Sequence, residues 1–117
     1  MSAVRSRPER PVVVIASCGD PAALREVRAG LEEEGVPARE EPLRGGEAVA
    51  LAHEAACRSP LDVGIGIAAD GAVCVHHAKL SATTPALLGN RAAARVCGHN
   101  AARIVVGIPL KELPADQ

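Results

Sequence analysis

The chain has 117 residues, is 48% hydrophobic, contains no Phe, Tyr or Trp, and carries a formal net charge of −1. Such a length and composition exclude a disordered polymer and fit one domain. Without aromatic rings base stacking has no platform, and near-neutral charge offers no field to phosphate backbones or anionic lipid. The core must be built from Val, Ile, Leu and many Ala, which suits closely packed layers of helix on sheet.

The first ten residues, "MSAVRSRPER", are polar and Arg/Pro-containing, and are expected to form a flexible leader ahead of a single domain over 11–117. "PVVVIASCG" (Pro11–Gly19) is a continuous, β-branched apolar run, the pattern of a central strand buried on both faces. Asp20 and Pro21 then supply an N-cap and a first-turn proline for a helix that runs to about Glu34 and ends at Gly35. "VPAREEP" is a short polar strand suited to an edge. In "EAVALAHEAACRS" the residues Ala48, Leu51, Ala52 and Ala55 form the apolar stripe of a second helix.

"DVGIGIA" is another buried strand, and Asp70-Gly71 predicts a tight hairpin returning through "AVCVHHA". "KLSATTPALLGN" is expected to be a loop with at most a short helical turn. "RAAARVCGHNAARIVVG" is a last helical region, with an interruption at Gly98 left open and a stop at Gly107 and Pro109. The order β-α-β-α-β-β-α predicts a small three-layer α/β sandwich. Its sheet should be mostly parallel in the order 2-1-3, with the hairpin strand added antiparallel beyond strand 3.

Cys18, Cys57, Cys74 and Cys97 are widely spaced and lack zinc-site spacing. No signal peptide or membrane-length apolar run is seen, so the cytoplasm and reduced thiols are expected. "GIGIAADG" lacks the dinucleotide spacing and enters a hairpin rather than a helix, so its glycines are assigned to packing. Cys18 lies near a helix N-terminus, yet no histidine is paired with it in sequence, and a passive thiol is expected. His76 and His77 point to opposite faces of a strand and cannot share one metal. His53 and His99 have no ligand spacing. With no nucleophile–base pair, no catalytic residue is assigned.

The run Glu32-Glu33-Glu34 falls at a helix C-terminus, where the backbone dipole disfavours acids. At about 100° per residue, Leu24, Val27 and Leu31 face the sheet. Glu33 points outward and continues a stripe of Glu26, Ala29 and Gly30, two of them the smallest residues available. Small residues flanked by acids permit another backbone or a cation to approach. The pattern alone favours a solvent-facing acidic cap, partly compensated by Arg28 four residues before Glu32.

Three stretches, "REVRAGLEEEGVPAR", "SPLDVGIGIAADGAVCVHHAKL" and "GHNAARIVVGIPLKEL", together resemble the small (β) subunit of diol/glycerol dehydratase reactivase. The similarity runs in order from about Val12 to Leu113, and these small subunits are themselves similar to the dehydratase medium subunit. The resemblance implies an α/β fold without catalysis of its own, paired in an α2β2 assembly with a large actin-like, chaperone-type ATPase subunit, which alone carries ATP or ADP. It implies release of damaged cobalamin from inactivated dehydratase by subunit swapping. It further implies a Mg²⁺ shared with the large subunit, to which Glu33 is the matching ligand, and an interface through Glu26, Ala29, Gly30 and Glu33. Association with a bacterial microcompartment and the choice between glycerol and 1,2-propanediol stay open. So do two other readings: a medium-subunit-like component of an adenosylcobalamin-dependent dehydratase, and a free-standing ligand-binding α/β domain using the strand ends near Cys18 and Asp20.

Overall fold

The computed structural model describes residues 10–114. The leader expected over 1–10 therefore falls, but for Arg10, outside the described residues, as does the end of the expected domain beyond 114. In chain order the elements are β1 (Val13–Ser17), α1 (Pro21–Glu33), β2 (Ala38–Glu40), α2 (Ala48–Arg58), β3 (Val63–Ile67), β4 (Val73–His77), β5 (Leu87–Gly89), a 3₁₀ turn (Arg91–Ala93) and α3 (Ala94–Val106). The strands form one sheet in the order β2-β1-β3-β4-β5. β1 pairs in parallel with β2 and β3, and the pairings from β3 to β4 and β4 to β5 are antiparallel. The expected α/β sandwich, its 2-1-3 order and the antiparallel addition all hold.

The sheet separates two unlike interiors. Val13 and Ile15 of β1, Val63, Ile65 and Ile67 of β3, and Val73 and Val75 of β4 meet Ala23, Val27 and Leu31 of α1 and Cys97 and Ala101 of α3. Complete burial of one such side chain, Leu31 for example, stabilises the fold by about 1.5–3 kcal/mol. On the opposite face Val14 and Ala16 pack with Leu51 and Ala55 of α2. There β3 presents Gly64 and Gly66, and a Cβ on either would collide with the α2 backbone at Ala48, Ala52 or Ala56. An alanine-rich helix laid on strand glycines replaces the aromatic filling that the chain lacks. Burial pushes the thiol of Cys74 up to about 12 and that of Cys97 up to about 11, so both are inert packing groups.

Local chemistry explains the boundaries. Asp20 caps α1 by accepting from the Ala23 N–H at 3.0 Å, and its other oxygen takes the Arg91 Nε at 2.7 Å. These bonds, first the backbone N–H and then the guanidinium, hold its carboxyl below the usual carboxylate range. Gly107 ends α3 with φ 78°, a left-handed position that glycine takes without strain.

One expectation is corrected and one open point is resolved. Leu87–Gly89 is not loop but a three-residue edge strand on β4; it is too short, and too close to Pro85, to show a period in sequence. Gly98 does not break α3, which is continuous from Ala94 to Val106. Its missing side chain admits α1 instead, since a Cβ there would strike the Val27 carbonyl oxygen.

A charged cluster where helix α1 meets helix α3

Two glycines set the geometry of this site. Gly30 of α1 lies against Gly98 of α3, and a Cβ on Gly30 would collide with the Arg95 carbonyl oxygen. Gly30 is therefore buried rather than outward-facing, and the backbone that its smallness admits belongs to α3 of the same chain. The helical wheel placed Leu24, Val27 and Leu31 toward the sheet but could not show that α1 also has a helix beside it.

That close crossing brings cations of α3 onto the acids of α1. Arg95 Nε forms an ion pair with Glu26 Oε1 at 3.0 Å, and its Nη1 donates to Glu33 Oε2 at 3.2 Å. His99, whose side chain is only 11% exposed, meets Glu33 Oε1 through Nε2 at 2.6 Å. Its Nδ1 lies 3.0 Å from Lys111 Nζ. An ammonium can only donate, so Nδ1 accepts and the ring hydrogen sits on Nε2, directed at Glu33. Glu33 is held below the usual carboxylate range, first by this hydrogen bond and then by the positive charge of Arg95. It stays half exposed, at 49%.

Glu34 takes Arg103 at 3.2 Å, and Arg103 also donates to the Pro109 carbonyl at 3.0 Å. Asn100, fully buried, grips the C-terminal segment by its main chain. Its Nδ2 donates to the Lys111 carbonyl at 2.9 Å and its Oδ1 accepts from the Lys111 N–H at 2.7 Å. The last turn of α1 has no basic residue of its own, so the charge compensation that helix C-termini favour comes from α3. Glu32 is exposed, and Arg28 reaches Glu40 of β2 at 2.7 Å rather than Glu32. The segment "LEEEG" thus forms one network with "HNAAR" and "GIPLK", which lie together far downstream in the sequence. The sequence pattern assigns His99 no ligand role and does not single out Asn100 or Arg103; their i, i+1 and i+4 spacing on one helix, beside a second glycine-bearing helix, is the signal that could find them.

Elsewhere the chain offers less. Both oxygens of Asp20 are committed to the cap and to Arg91, so the strand ends present no free carboxylate there. A hollow of about 920 Å³ on α2, lined by residues including Val49, His53, Cys57 and Thr83, contains no member of the stripe. Among the described residues no group of three or more His, Cys, Asp or Glu side chains could hold a metal by itself.

A family model described as dehydratase medium subunit matches residues 7–111, nearly the whole chain. This chain belongs to that family. Among its relatives, the diol dehydratase-reactivating factor small subunit of Klebsiella michiganensis is 38% identical, over 99% of this chain and 94% of the relative. The propanediol dehydratase-reactivating factor small subunit of Salmonella typhimurium is 40% identical, over 90% and 94%. Two solved structures share the fold. A glycerol dehydratase reactivase chain superimposes with a TM-score of 0.83 at 38% identity, over 88% of this chain and 98% of that one. A chain from a diol dehydratase-reactivating factor complexed with ADP and Mg²⁺ gives 0.79 at 38% identity, over 89% and 100%. Within the dehydratase medium-subunit family, this chain is thus similar to the small subunits of reactivating factors.

Proposed function

We propose that this chain is the non-catalytic small subunit of an ATP-dependent factor that reactivates a diol or glycerol dehydratase. It works beside a larger subunit that binds and hydrolyses the nucleotide. Near-full-length similarity to reactivating-factor small subunits carries the reading. The α1–α3 network supports it, because two of the three stretches behind the resemblance meet there. In this reading the small subunit leaves the large one under nucleotide control. The large subunit then takes the similarly folded medium subunit of the dehydratase, opening that enzyme so that damaged cobalamin escapes. The assembly is α2β2, in the cytoplasm or within a bacterial microcompartment.

Glu33 fits a part in a shared Mg²⁺ site. Its carboxylate is ionised, half exposed and fixed at one oxygen by His99, and oxygen donors suit Mg²⁺. Mg²⁺ is commonly held by one or two carboxylates together with phosphates and water, so a single ligand from this chain suffices if the large subunit supplies the rest. Bound there, Mg²⁺ would offset acidic charge at the helix end and join the two subunits. Glu26 and Ala29 border the same contact, and Gly30 contributes by bringing α3 close rather than by surface of its own.

Co-purification with the cognate large subunit tests the proposal. A stable complex is expected, weakened in Glu33→Ala and weakened by EDTA. Equal assembly of wild type and Glu33→Ala, in magnesium and in EDTA alike, removes the metal assignment. A second reading, a dehydratase medium-subunit-like component, is favoured by the name of the matching family. It predicts tight association with the dehydratase catalytic subunit alone and diol-dependent turnover. Binding of nucleotide or cobalamin to the isolated chain, measured by calorimetry, would instead support a free-standing ligand-binding domain.

A further inference from the structure

The two oxygens of Glu33 are held in different ways. Oε1 meets His99, a side chain only 11% exposed that donates a hydrogen bond through Nε2. Oε2 meets Arg95, a charged side chain that is 45% exposed and is shared with Glu26. One contact is largely buried, the other exposed and made by a permanent cation. Arg95 is also well placed by the main chain, because its own carbonyl packs on Gly30.

We propose that Arg95 is an internal counter-ion for Glu33, occupying it in the free subunit and yielding it to the divalent cation on assembly. The proposal rests on the reading that Glu33 contributes to a Mg²⁺ shared with the large subunit, and it assigns the regulation of that contact. A guanidinium and a divalent cation compete for the same carboxylate, so Arg95 sets how much Mg²⁺ assembly requires. The exchange leaves no stranded charge: Glu26 lies two turns before Glu33 on α1, and Arg95 keeps that partner when it releases Glu33. His99 stays in place throughout and is a positioning residue for the carboxylate.

The test titrates Mg²⁺ into mixtures of the full-length chain and its large subunit with ADP. Its readout is the Mg²⁺ concentration at half-maximal complex formation, followed by size-exclusion chromatography. Arg95→Gln is expected to lower that midpoint by roughly twofold to fivefold, the scale of exposed ion pairs. Arg95→Lys keeps the charge but cannot fork across two carboxylates, so its midpoint should fall in between. An unchanged or raised midpoint in Arg95→Gln overturns the proposal. A lowered midpoint there with Arg95→Lys at the wild-type value assigns the effect to the charge field and overturns exchange. Glu33→Gln separates the two levels: if wild type and Glu33→Gln assemble equally without any response to Mg²⁺, the metal reading fails and the exchange with it. If wild type responds to Mg²⁺ and only Arg95→Gln leaves the midpoint unmoved, the exchange alone fails.

Discussion

Glycine brings two backbones together on each side of this sheet, to different ends. On one side Gly64 and Gly66 of β3 let α2 settle on the strand, surrounded by Ala48, Ala52 and Ala56 and closed to solvent. On the other, Gly30 and Gly98 join two helices near the surface, and charged side chains rise from both directly above the crossing. The first contact fills a core that has no aromatic residues. The second fixes the distance between an acidic helix end and the cations of its neighbour. Close packing can therefore be an end in itself or a means of aiming side chains, and what surrounds the glycines tells which.

Substitution at each contact should separate these roles. The largest effect is expected for Gly64→Ala, whose Cβ would collide with α2 backbone on a fully buried strand. Overpacking of this kind costs about 1–3 kcal/mol or more, so thermal and urea unfolding should reveal a large loss of stability. Gly98→Ala should come next. The gain in helix propensity, about 1 kcal/mol, is opposed by a collision with the Val27 carbonyl. Unlike Gly64→Ala it should also release His99 from Glu33, seen as altered histidine chemical shifts in a protein that remains folded. If Gly98→Ala loses stability but keeps the His99 shifts, the crossing does not aim the cluster.

Asn100→Ala removes two bonds to the Lys111 main chain and should cost about 1–3 kcal/mol. Hydrogen exchange should rise at residues 108–112 while the α2 side stays protected. The smallest effect is expected for Asp20→Asn, which keeps an acceptor for the cap but loses the charge. Because folding lowers the Asp20 pKa below its ordinary 3.8, the carboxylate contributes stability above that pH. The contribution is lost as pH falls through the lowered value. The variant should melt somewhat earlier at neutral pH, with the gap to wild type closing in acid.

Much of the fold was legible in the chain. Continuous β-branched runs marked β1 and β3, Asp70-Gly71 marked the hairpin, and the Ala48–Ala55 stripe marked the buried face of α2; each signal lies within a few residues. The cluster was legible only in part. Glu33 stood out because acids are misplaced at a helix C-terminus, but its partners Arg95 and His99 lie more than sixty residues away and share no local pattern with it. Gly30 faced outward on a wheel drawn for an isolated helix, and Gly98 left a break open for the same reason: a glycine's absent side chain has meaning only beside the neighbour that uses the space. β5 was hidden because three residues make no period.

The grip of Asn100 on Lys111 carries one more consequence. An amide that donates to a carbonyl and accepts from an N–H of the same residue does what an adjacent strand would do, and it touches only main chain. It makes no demand on the identity of the side chains nearby, and Ile108 and Leu110 are left exposed on the tethered stretch. Attachment and display are thus separate at these two positions: what Ile108 and Leu110 show to another molecule can be rewritten without loosening how the stretch is tied down.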